Sequence, residues 1–521
     1  MAVHLLDDFL RESAQRVPGS VALIHGEERT SYGDLDRASD RVAGALASQG
    51  IRRGDRVGLL DDNGLDYVEG YYAVLKAGAV AVPLNTQADP RTIQGLLADC
   101  GARAVIAGRR HAPLILPGLN GLGAMEFAVL PDGDVESAPA GPVRLVRISD
   151  ARAFGGPAPS LRRIDLDRAS IIYTSGSTGR PKGAVLSHLN LVANTRSIVQ
   201  YLELTSADRV LAVLPFYYVY GKSLLNTHVA AGGSVVIENR FLFPQVAVDT
   251  LQREACTGFA GVPSTFAILL DKTNVAKRDL PALRYVTQAG GAMAPAIIRR
   301  VMEALPRTRV FIMYGATEAG ARLSYLPPDE LPSRVGSIGR AIPNVELLVL
   351  RDDGSTCEPG EVGEIVARGS NIMEGYWNDP AETAAVLDRH GYHTGDLGVA
   401  DEEGYLRVVG RKREMIKSGA HRISPKEIEE AILEHASVLE AAVIGIPDAM
   451  LGEAIRAYVV PREGCTLSID AIAAHCRERL AGYKVPREFV KRGTLPKNPS
   501  GKVMKDRLHH DAPTPGSDAR E

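Results

Sequence analysis

The sequence predicts an α/β protein: a large N-terminal region with parallel βαβ sheets plus a small β subdomain, followed by a small α+β C-terminal domain. First, apolar strand-like runs alternate with segments of helical periodicity, the order that builds a parallel sheet. Second, the 52 glycines and 31 prolines suit many short elements joined by tight turns. Third, the pattern changes near residue 336 to short alternating strands with Gly turns, which favours antiparallel structure.

The parallel arrangement is clearest between residues 55 and 110. Strands and helices alternate there in the order Arg56–Leu60, Leu65–Ala77, Ala79–Leu84, Thr92–Cys100 and Arg103–Ala107. Further buried strands are predicted at Arg209–Leu214, Ser234–Glu238, Thr257–Ala260, Leu283–Gln288 and Arg309–Met313. Residues 108–165 are rich in Pro, Gly and Arg, so we expect a variable surface excursion there.

Two smaller units are predicted downstream. Val345–Leu350 and Gly363–Arg368 alternate like antiparallel strands, so residues 335–410 form a mostly antiparallel β subdomain within an N-terminal unit covering 1–410. An α+β domain over 411–521 follows, with its predicted helices and strands at Pro425–His435, Ala441–Ile446, Ala454–Val460 and Ile469–Leu480.

The composition excludes several classes of protein. The 60 Lys and Arg against 63 Asp and Glu give a net charge of −3, which leaves no basic excess for nucleic acid. The longest apolar stretch, Tyr71–Leu84, is interrupted by Lys76 and Pro83, so no membrane span is expected. The five cysteines form no CxxC pair, and Asp7 and Asp8 stand where a signal peptide would be basic. We therefore expect a cytoplasmic location.

The segment IIYTSGSTGRPKG at 171–183 carries the strongest chemical signal. Glycines let backbone N–H groups approach an anion closely, hydroxyls add donors, and a lysine adds charge. The spacing is not that of a Walker A loop. We predict a polyphosphate cradle made of Thr174, Ser175, Gly176, Ser177, Thr178, Gly179 and Lys182.

The stretch YTSGSTGRPKG resembles the phosphate loop of the adenylate-forming superfamily, which includes acyl-CoA synthetases and other AMP-dependent ligases. Five further segments match the family's motifs in order up to residue 502. The resemblance implies that ATP, with Mg²⁺, activates a small carboxylic acid as an acyl-adenylate and releases pyrophosphate. The acyl group then passes to the thiol of coenzyme A or of carrier-protein phosphopantetheine, the carrier being a free-standing polypeptide.

The segment MYGATE at 313–318 follows a predicted buried strand. Polar side chains at the carboxyl ends of such strands face a ligand crevice. The resemblance assigns Thr317 to the α-phosphate, Glu318 to Mg²⁺ and Tyr314 to the nucleotide. A hard cation that bridges phosphate oxygens needs a carboxylate of this kind.

Two more segments are assigned to the nucleoside. In QAGGA, the small residues Gly290, Gly291 and Ala292 let a flat ring lie against the backbone, and the resemblance places adenine there. Asp396 in HTGD and Arg411 in VGR are assigned to the ribose, because a carboxylate can accept hydrogen bonds from a vicinal diol.

The resemblance also implies that residues 411–521 act as a mobile lid. Arg413 takes the hinge position. Lys502, in the loop LPKNPSGK, reaches the reacting centre, where electrostatic stabilisation of nucleotidyl transfer is most effective. Lys417 lies near the acyl phosphate in one of the two lid positions and is a further catalytic candidate.

An aromatic segment after the strand ending at Leu214 is assigned to the acid pocket. Tyr217, Tyr218 and Tyr220 combine apolar rings with hydroxyls, which favours an aromatic or oxygenated acid, although ordinary core packing explains two of them equally well. Tyr218 replaces a histidine that related ligases often carry. Lys222 either meets a polar group of the substrate or extends to water.

Two alternatives to an acid–thiol ligase follow from the same residues. Ala420 stands where thioester-forming relatives commonly have glycine, which favours an adenylating ligase whose acceptor is an amine, an oxygen or a small anion. The other alternative is a catalytically silent nucleotide-binding regulatory protein. The presence of Thr317, Glu318, Asp396 and Lys502 disfavours it.

Overall fold

The first third of the chain contributes strands to two different sheets. The computed structural model describes residues 3–137, 141–174, 181–419, 421–448, 450–497 and 503–509. The strands up to residue 174 are β1 (Val21–His25), β2 (Glu28–Ser31), β3 (Arg56–Leu60), β4 (Val80–Pro83), β5 (Ala104–Ala107), β6 (Phe127–Leu130), β7 (Arg144–Arg147) and β8 (Arg168–Thr174). The helices are α1 (Asp8–Arg16), α2 (Tyr32–Ser48), α3 (Leu65–Lys76), α4 (Pro90–Asp99), α5 (Ala112–Leu119), α6 (Asp132–Ser137) and α7 (Ile148–Arg152).

The middle of the chain alternates strands and helices in the same way. Its strands are β9 (Lys182–Ser187), β10 (Arg209–Ala212), β11 (Ser234–Ile237), β12 (Gly258–Gly261), β13 (Tyr285–Gln288), β14 (Arg309–Tyr314), β15 (Ser324–Leu326) and β16 (Arg340–Ala341). Its helices are α8 (His188–Leu202), α9 (Val219–Ala231), α10 (Pro244–Arg253), α11 (Pro263–Lys272) and α12 (Pro295–Ala304), with 3-10 turns at Val275–Lys277 and Thr317–Ala319.

The last part of the chain has shorter strands and fewer helices. The strands are β17 (Val345–Leu350), β18 (Gly363–Gly369), β19 (Gly375–Tyr376), β20 (Leu387–Asp388), β21 (Gly391–Ala400), β22 (Leu406–Arg411), β23 (Ile416–Ser418), β24 (His421–Ile423), β25 (Val438–Asp448), β26 (Gly452–Pro461) and β27 (Glu488–Lys491). The helices are α13 (Pro380–Val386), α14 (Pro425–Leu433), α15 (Ile469–Arg479) and α16 (Lys505–His509), with a 3-10 turn at Gly482–Lys484.

Two large sheets have parallel centres, with antiparallel strands at both edges of the first sheet and at one edge of the second. The first has the order β16-β15-β14-β13-β12-β10-β11-β1-β2, and its strands from β14 to β1 run parallel. The second has the order β19-β9-β8-β4-β3-β5-β6-β7, with β8 to β7 parallel. Because carboxyl ends of parallel strands share one edge, each sheet presents a row of loops on which a site can be built.

The largest core lies between these two sheets. Tyr72 of α3 and Leu225 of α9 belong to one buried cluster with strand residues of both sheets. Within β10, Val210 and Ala212 face this cluster, whereas Leu211 belongs to a second cluster with helices α10 to α12. Successive side chains of a strand point to opposite faces, so the near-continuous apolar runs in the sequence are those of strands covered on both sides.

The prediction for residues 108–165 was wrong. This segment contains β6, whose four residues are all buried, between β5 and β7 of the second sheet. Phe127 and Val129 pack in the core between the two sheets. Ala128 and Leu130 pack in a third cluster, on the opposite face of the second sheet. The strand is only four residues long and is flanked by Gly- and Pro-containing turns, so its signal was masked by the composition around it.

The antiparallel subdomain and the small C-terminal α+β unit were predicted correctly. Strands β17, β18, β21 and β20 form an antiparallel sheet, to which β22 adds through β21. Strands β24, β23, β26, β25 and β27 form a last sheet, against which α14 and α15 pack. No helix among the described residues is long and apolar enough to cross a membrane.

Contacts join the C-terminal sheet to the rest of the chain. Ser424 donates to the carbonyl oxygen of Val409 at 2.5 Å. Arg462 pairs with Asp271 at 2.6 Å, and Lys272 pairs with Glu463. The predicted boundary at 410–411 falls at the last residue of β22, and it stays a prediction.

A buried ion pair fixes the N-terminus to the segment that precedes β8. The side chain of Asp7 is 0% exposed, and Arg163 donates to its two oxygens at 2.8 and 2.9 Å. Burial opposes ionisation of Asp7, but the hydrogen bonds and charge of Arg163 outweigh burial, so the pKa of this carboxyl is lowered. The pair therefore stabilises the native state above the pKa of an ordinary Asp and loses that contribution as the pH falls.

Replacing Asp7→Asn should lower the free energy of unfolding at pH 7 by about 3–5 kcal/mol, because it leaves the Arg163 charge buried without a counter-ion. Denaturant unfolding followed by the fluorescence of the single tryptophan measures this. The matched control is Asp279→Asn, which breaks an Asp–Arg pair with Arg307 at the surface and should cost less than about 1 kcal/mol. Equal losses for the two variants would contradict the assignment.

Candidate active site

The carboxyl ends of β13 and β14 lie side by side in the first sheet. The register pairs Gln288 of β13 with Ile312 of β14, so the loops that follow these strands emerge at one edge. The first loop carries the predicted adenine-binding residues and the second the predicted phosphate and magnesium residues. This edge is the place where α/β sheets bind ligands.

The loop after β14 folds back tightly on itself. A Cβ placed on Gly315 would lie 2.0 Å from the carbonyl oxygen of Ala321, so only glycine fits. Thr317–Ala319 form a 3-10 turn, and Ala321 has a φ of 134°, which an L-residue rarely adopts. Backbone strain of this kind persists where surrounding structure imposes it, and it clusters at functional sites.

Asp396 lies at the centre of a hydrogen-bonded group that spans two sheets. The register of β21 and β22 places it directly opposite Arg411, whose Nε lies 3.0 Å from its carboxylate. Tyr314, at the end of β14, donates its hydroxyl to Asp396 at 2.6 Å. Burial, and then the Asp396 charge, raise the pKa of Tyr314 well above its ordinary value, so its hydroxyl remains a donor. Asp396 and Arg411 thus lie together, as predicted, but they pair with each other directly.

Glu318 is oriented by a residue that the sequence analysis missed. Tyr376 of β19 donates its hydroxyl to Oε1 of Glu318 at 2.7 Å, and the Met373 N–H donates to the Glu318 carbonyl at 2.8 Å. No described residue donates to Oε2 of Glu318. A carboxylate oxygen to which no described group donates would suit a Mg²⁺ ion, which binds proteins through one or two carboxylates plus phosphates. No group of three or more metal-ligating side chains occurs in the described ranges.

The predicted phosphate loop joins two paired strands. Thr174 of β8 lies opposite Lys182 of β9 in an antiparallel pair, so β8 and β9 form a hairpin. Five of its predicted residues lie outside the described part of the chain: Ser175, Gly176, Ser177, Thr178 and Gly179. Lys182 forms an ion pair with Glu382 at the start of α13 and lies 5.4 Å from the centroid of Tyr376. Strand β19 pairs with β9 in antiparallel register, which brings Tyr376 to the hairpin.

The loop after β13 exposes a short backbone shelf. Gly290 and Gly291 are exposed, and Gln288 donates to the Gly291 carbonyl at 2.7 Å. Gly290 has a φ of +84°, so the turn depends on glycine, and Ala292 follows the two glycines. The shelf has the small, open surface that the prediction of an adenine contact requires.

The aromatic segment before α9 is fixed from the second sheet. Asn63 donates to the Leu214 carbonyl at 2.9 Å and accepts from the Phe216 N–H at 2.7 Å. Tyr217 is buried and Tyr218 is half-buried, with ring centroids 4.6 Å apart. Tyr220 is buried and donates to the Thr287 carbonyl of β13 at 2.8 Å. The segment thus lies between the two sheets and reaches the end of β13.

Lys222 does not extend to water. It is 3% exposed, and its Nζ donates to the Tyr67 hydroxyl at 2.6 Å and lies 3.7 Å from the centroid of Tyr71. Both tyrosines belong to α3. Burial lowers the pKa of the amine well below that of an ordinary lysine. The amine therefore faces α3, on the side of α9 that packs against the second sheet.

The predicted lid residues lie at the surface. Arg413 is exposed in the turn between β22 and β23. Lys417 is exposed in β23, and its N–H donates to Glu453 at 2.5 Å. Ala420 and Lys502 lie outside the described residues.

Comparisons with known proteins match this chain over most of its length. Residues 10–377 match the family of AMP-binding enzymes, and residues 427–502 match the AMP-binding enzyme C-terminal domain. A feruloyl-CoA synthase from Amycolatopsis sp is 34% identical over 495 residues, which cover 94% of this chain and 96% of that protein.

Two solved structures are similar along almost the entire chain. An anthranilate CoA ligase, AuaEII, in complex with anthranoyl-AMP has a TM-score of 0.89 and 27% identity over 98% of each chain. An o-succinylbenzoate CoA synthetase from Bacillus subtilis, in complex with ATP and magnesium ion, has a TM-score of 0.81 and 30% identity, covering 96% of this chain and 98% of that one.

Replacing Lys222→Met should change how stability depends on pH. The unfolded lysine binds a proton that the buried amine does not, so the native protein gains about 1.4 kcal/mol of stability per pH unit as the pH rises toward 10. The variant should lack this gain and should be at least as stable as the native protein at pH 7. Unfolding free energies of both proteins at pH 7, 8 and 9 measure the difference.

The control for this variant is Lys76→Met. Lys76 is equally buried but pairs with Asp36 and Asp40 at 2.6 and 2.8 Å, so its loss should be destabilising at each pH. A constant difference between the native protein and Lys222→Met across the pH range would refute a neutral buried amine.

Replacing Asp396→Asn should weaken ATP binding by about 10- to 100-fold, because the charged acceptor that is predicted to bind the ribose is lost. Titration calorimetry with ATP and with 2′,3′-dideoxy-ATP locates the loss, since the variant should discriminate poorly between the two. The control is Asp352→Asn, at an exposed pair with Lys412, which should bind both nucleotides like the native protein. Full discrimination by Asp396→Asn would place the ribose elsewhere.

Proposed function

The chain belongs to the family of AMP-binding enzymes, and from that premise we propose that it activates a small aromatic or oxygenated carboxylic acid. The enzyme is an ATP-dependent, AMP-forming acid–CoA ligase that works through an acyl-adenylate. ATP and Mg²⁺ serve the first step and coenzyme A accepts the acyl group in the second. A free-standing carrier protein is a second candidate acceptor that uses the same thiol chemistry.

One observation carries the proposal most directly. Asp396 with Tyr314 and Arg411, and Glu318 with Tyr376, converge at the carboxyl end of β14 from separate sheets. The first group can hold a sugar diol and the second can hold a cation on phosphate. A ligand that presents both a sugar diol and phosphates is a nucleotide.

The chemistry follows from activation of a poor electrophile. Thiols do not expel oxide from a carboxylate, whereas adenylate is a good leaving group. A carboxylate oxygen of the acid attacks the α-phosphorus, the bond to pyrophosphate breaks, and the thiol sulfur of coenzyme A then displaces AMP. Thr317, directly after β14, would donate to the α-phosphate. A Mg²⁺ held by Glu318 would neutralise phosphate charge.

The remaining roles fall to the phosphate hairpin and the lid. Ser175–Gly179 between Thr174 and Lys182 would bind the β- and γ-phosphates through backbone N–H groups. Lys182 would exchange its Glu382 partner for phosphate when ATP binds. Lys502 would neutralise charge between the attacking carboxylate and the α-phosphate, and rotation about Arg413 would move the lid between the two steps.

The aromatic segment supports the acid class. Tyr217 and Tyr220 are buried, with Tyr220 anchored to β13, and Tyr218 is half-buried beside Tyr217. Rings with hydroxyl groups favour flat or oxygenated acids over long aliphatic chains. A panel of benzoates, hydroxycinnamates and fatty acids, assayed for pyrophosphate release with and without coenzyme A, tests this. Fastest release with long aliphatic acids would refute the acid class.

Replacing Lys502→Ala should lower acid-dependent pyrophosphate release by about 100-fold or more, because a cation at the reacting centre is lost. The affinity for ATP should stay within about threefold, since most of the nucleotide contacts lie elsewhere. The control is Lys497→Ala, a nearby lysine paired with Glu440, which should retain activity. Equal activity of the Lys502 variant and the native enzyme would remove Lys502 from the mechanism.

A further inference from the structure

Arg322 is a buried cation with no acidic partner. It is 2% exposed and follows Glu318 by four residues. No described aspartate or glutamate pairs with it. Two other largely buried cations have carboxylate partners: Arg163 binds Asp7, and Lys76 binds Asp36 and Asp40. Lys222 has none but is a base that can shed its proton.

The hydrogen bonds of Arg322 bring it no charged acceptor. A guanidinium offers five N–H groups and cannot deprotonate in a protein. Nε donates to the Met313 sulfur at 3.3 Å, and Nη1 donates to the Ala321 carbonyl at 3.0 Å. The Tyr201 hydroxyl is a further hydrogen-bond partner. A sulfur, a carbonyl and a hydroxyl therefore serve a fully charged group, and none of them carries a negative charge.

The guanidinium of Arg322 lies against the aromatic segment that we assign to the acid pocket. Its guanidinium carbon lies 4.1 Å from the centroid of Tyr220, which belongs to that segment. Its backbone packs against Gly315, since a Cβ on Gly315 would lie 2.8 Å from the Arg322 Cα. Arg322 thus contacts both the aromatic segment, through its side chain, and the loop that carries Thr317 and Glu318, through its backbone.

The backbone directs this side chain inward. The residue before it, Ala321, has the unusual φ of 134°. Asn194 and Asn371 both donate to the Arg322 carbonyl at 2.9 Å. These contacts fix the main chain at Arg322, while the guanidinium keeps a charge that no described carboxylate compensates. A planar, charged fork of N–H donors matches a carboxylate or a sulfonate.

We propose that the acid substrate carries a second anionic group, a carboxylate or a sulfonate, and that Arg322 binds it as a specificity-determining residue. This inference rests on the proposed function and narrows its substrate class to acids with a distal oxyanion. One carboxylate faces the α-phosphate and the other oxyanion pairs with the guanidinium over Tyr220. The buried charge is then compensated by the substrate, and neutral acids leave it unpaired.

Pairs of acids of similar shape test the proposal on the native enzyme. ATP–pyrophosphate exchange is measured for terephthalate against 4-methylbenzoate, glutarate against valerate, and sulfoacetate against propionate. In at least one pair, kcat/KM should be roughly 100-fold higher for the anionic acid, since polar groups left unpaired by the wrong substrate discriminate strongly. The comparison of sulfoacetate with propionate shows whether the enzyme recognises a sulfonate rather than a second carboxylate. Equal or better use of the neutral acid in every pair would overturn the proposal while leaving the ligase function intact.

Two variants test whether Arg322 binds the substrate or only supports the fold. Arg322→Met keeps the length without the charge and should reverse the preference, losing about 100-fold on the anionic acid with little loss on its neutral partner. Arg322→Lys should recover part of the preference. Binding of AMP should be unchanged in both. An equal loss on both acids, or an unfolded Arg322→Met chain, would show that Arg322 is structural and would overturn the proposal.

A binding measurement covers the case in which turnover is slow. The melting temperature of the native enzyme with AMP bound should rise when the preferred anionic acid is added. The melting temperature of Arg322→Met with AMP should not change on this addition. The absence of exchange with every acid would refute the proposed function. The absence of both exchange and thermal shift would refute the substrate class as well.

Discussion

The geometry of the site depends on the carboxylate of Asp396, which accepts from Tyr314 and pairs with Arg411. Tyr314 ends a strand of the first parallel sheet, whereas Asp396 and Arg411 face each other across the antiparallel sheet. Hydrogen bonds to a buried charge are stronger than neutral ones and more costly to break. This one group therefore sets where the antiparallel subdomain lies over the end of β14. Glu318 is held separately, by Tyr376 of β19 in the second large sheet.

Local sequence pattern was sufficient for most elements of the fold. Both parallel sheets were predicted from their apolar runs, because strands covered on two faces have little polar alternation. The prediction for segment 108–165 was wrong because the apolar run in it was too short to be recognised. Strand β6 is four residues long, and the Pro- and Gly-rich turns around it outweighed a short apolar signal. The order of strands in each sheet, by contrast, follows from packing that no local pattern contains.

In the site, too, residues within contiguous motifs could be predicted, whereas residues whose partners are distant in the sequence could not. Thr317, Glu318 and Asp396 could be named in advance because their motifs are contiguous in sequence. Tyr376 and Arg322 could not, since the role of each depends on a partner brought near by folding. Lys222 had two predicted environments, and the structure gives a third, against tyrosines of α3. Burial without a counter-ion is visible only once the neighbours on every side are known.

The central claim is that a carboxylate attacks the innermost phosphorus of ATP. An acid labelled with ¹⁸O in both carboxylate oxygens, incubated with ATP and coenzyme A, tests it most directly by mass spectrometry of the products. Attack at the α-phosphorus transfers one labelled oxygen to AMP and leaves the pyrophosphate unlabelled. Label in inorganic phosphate with release of ADP would show attack at the γ-phosphorus and would contradict the account.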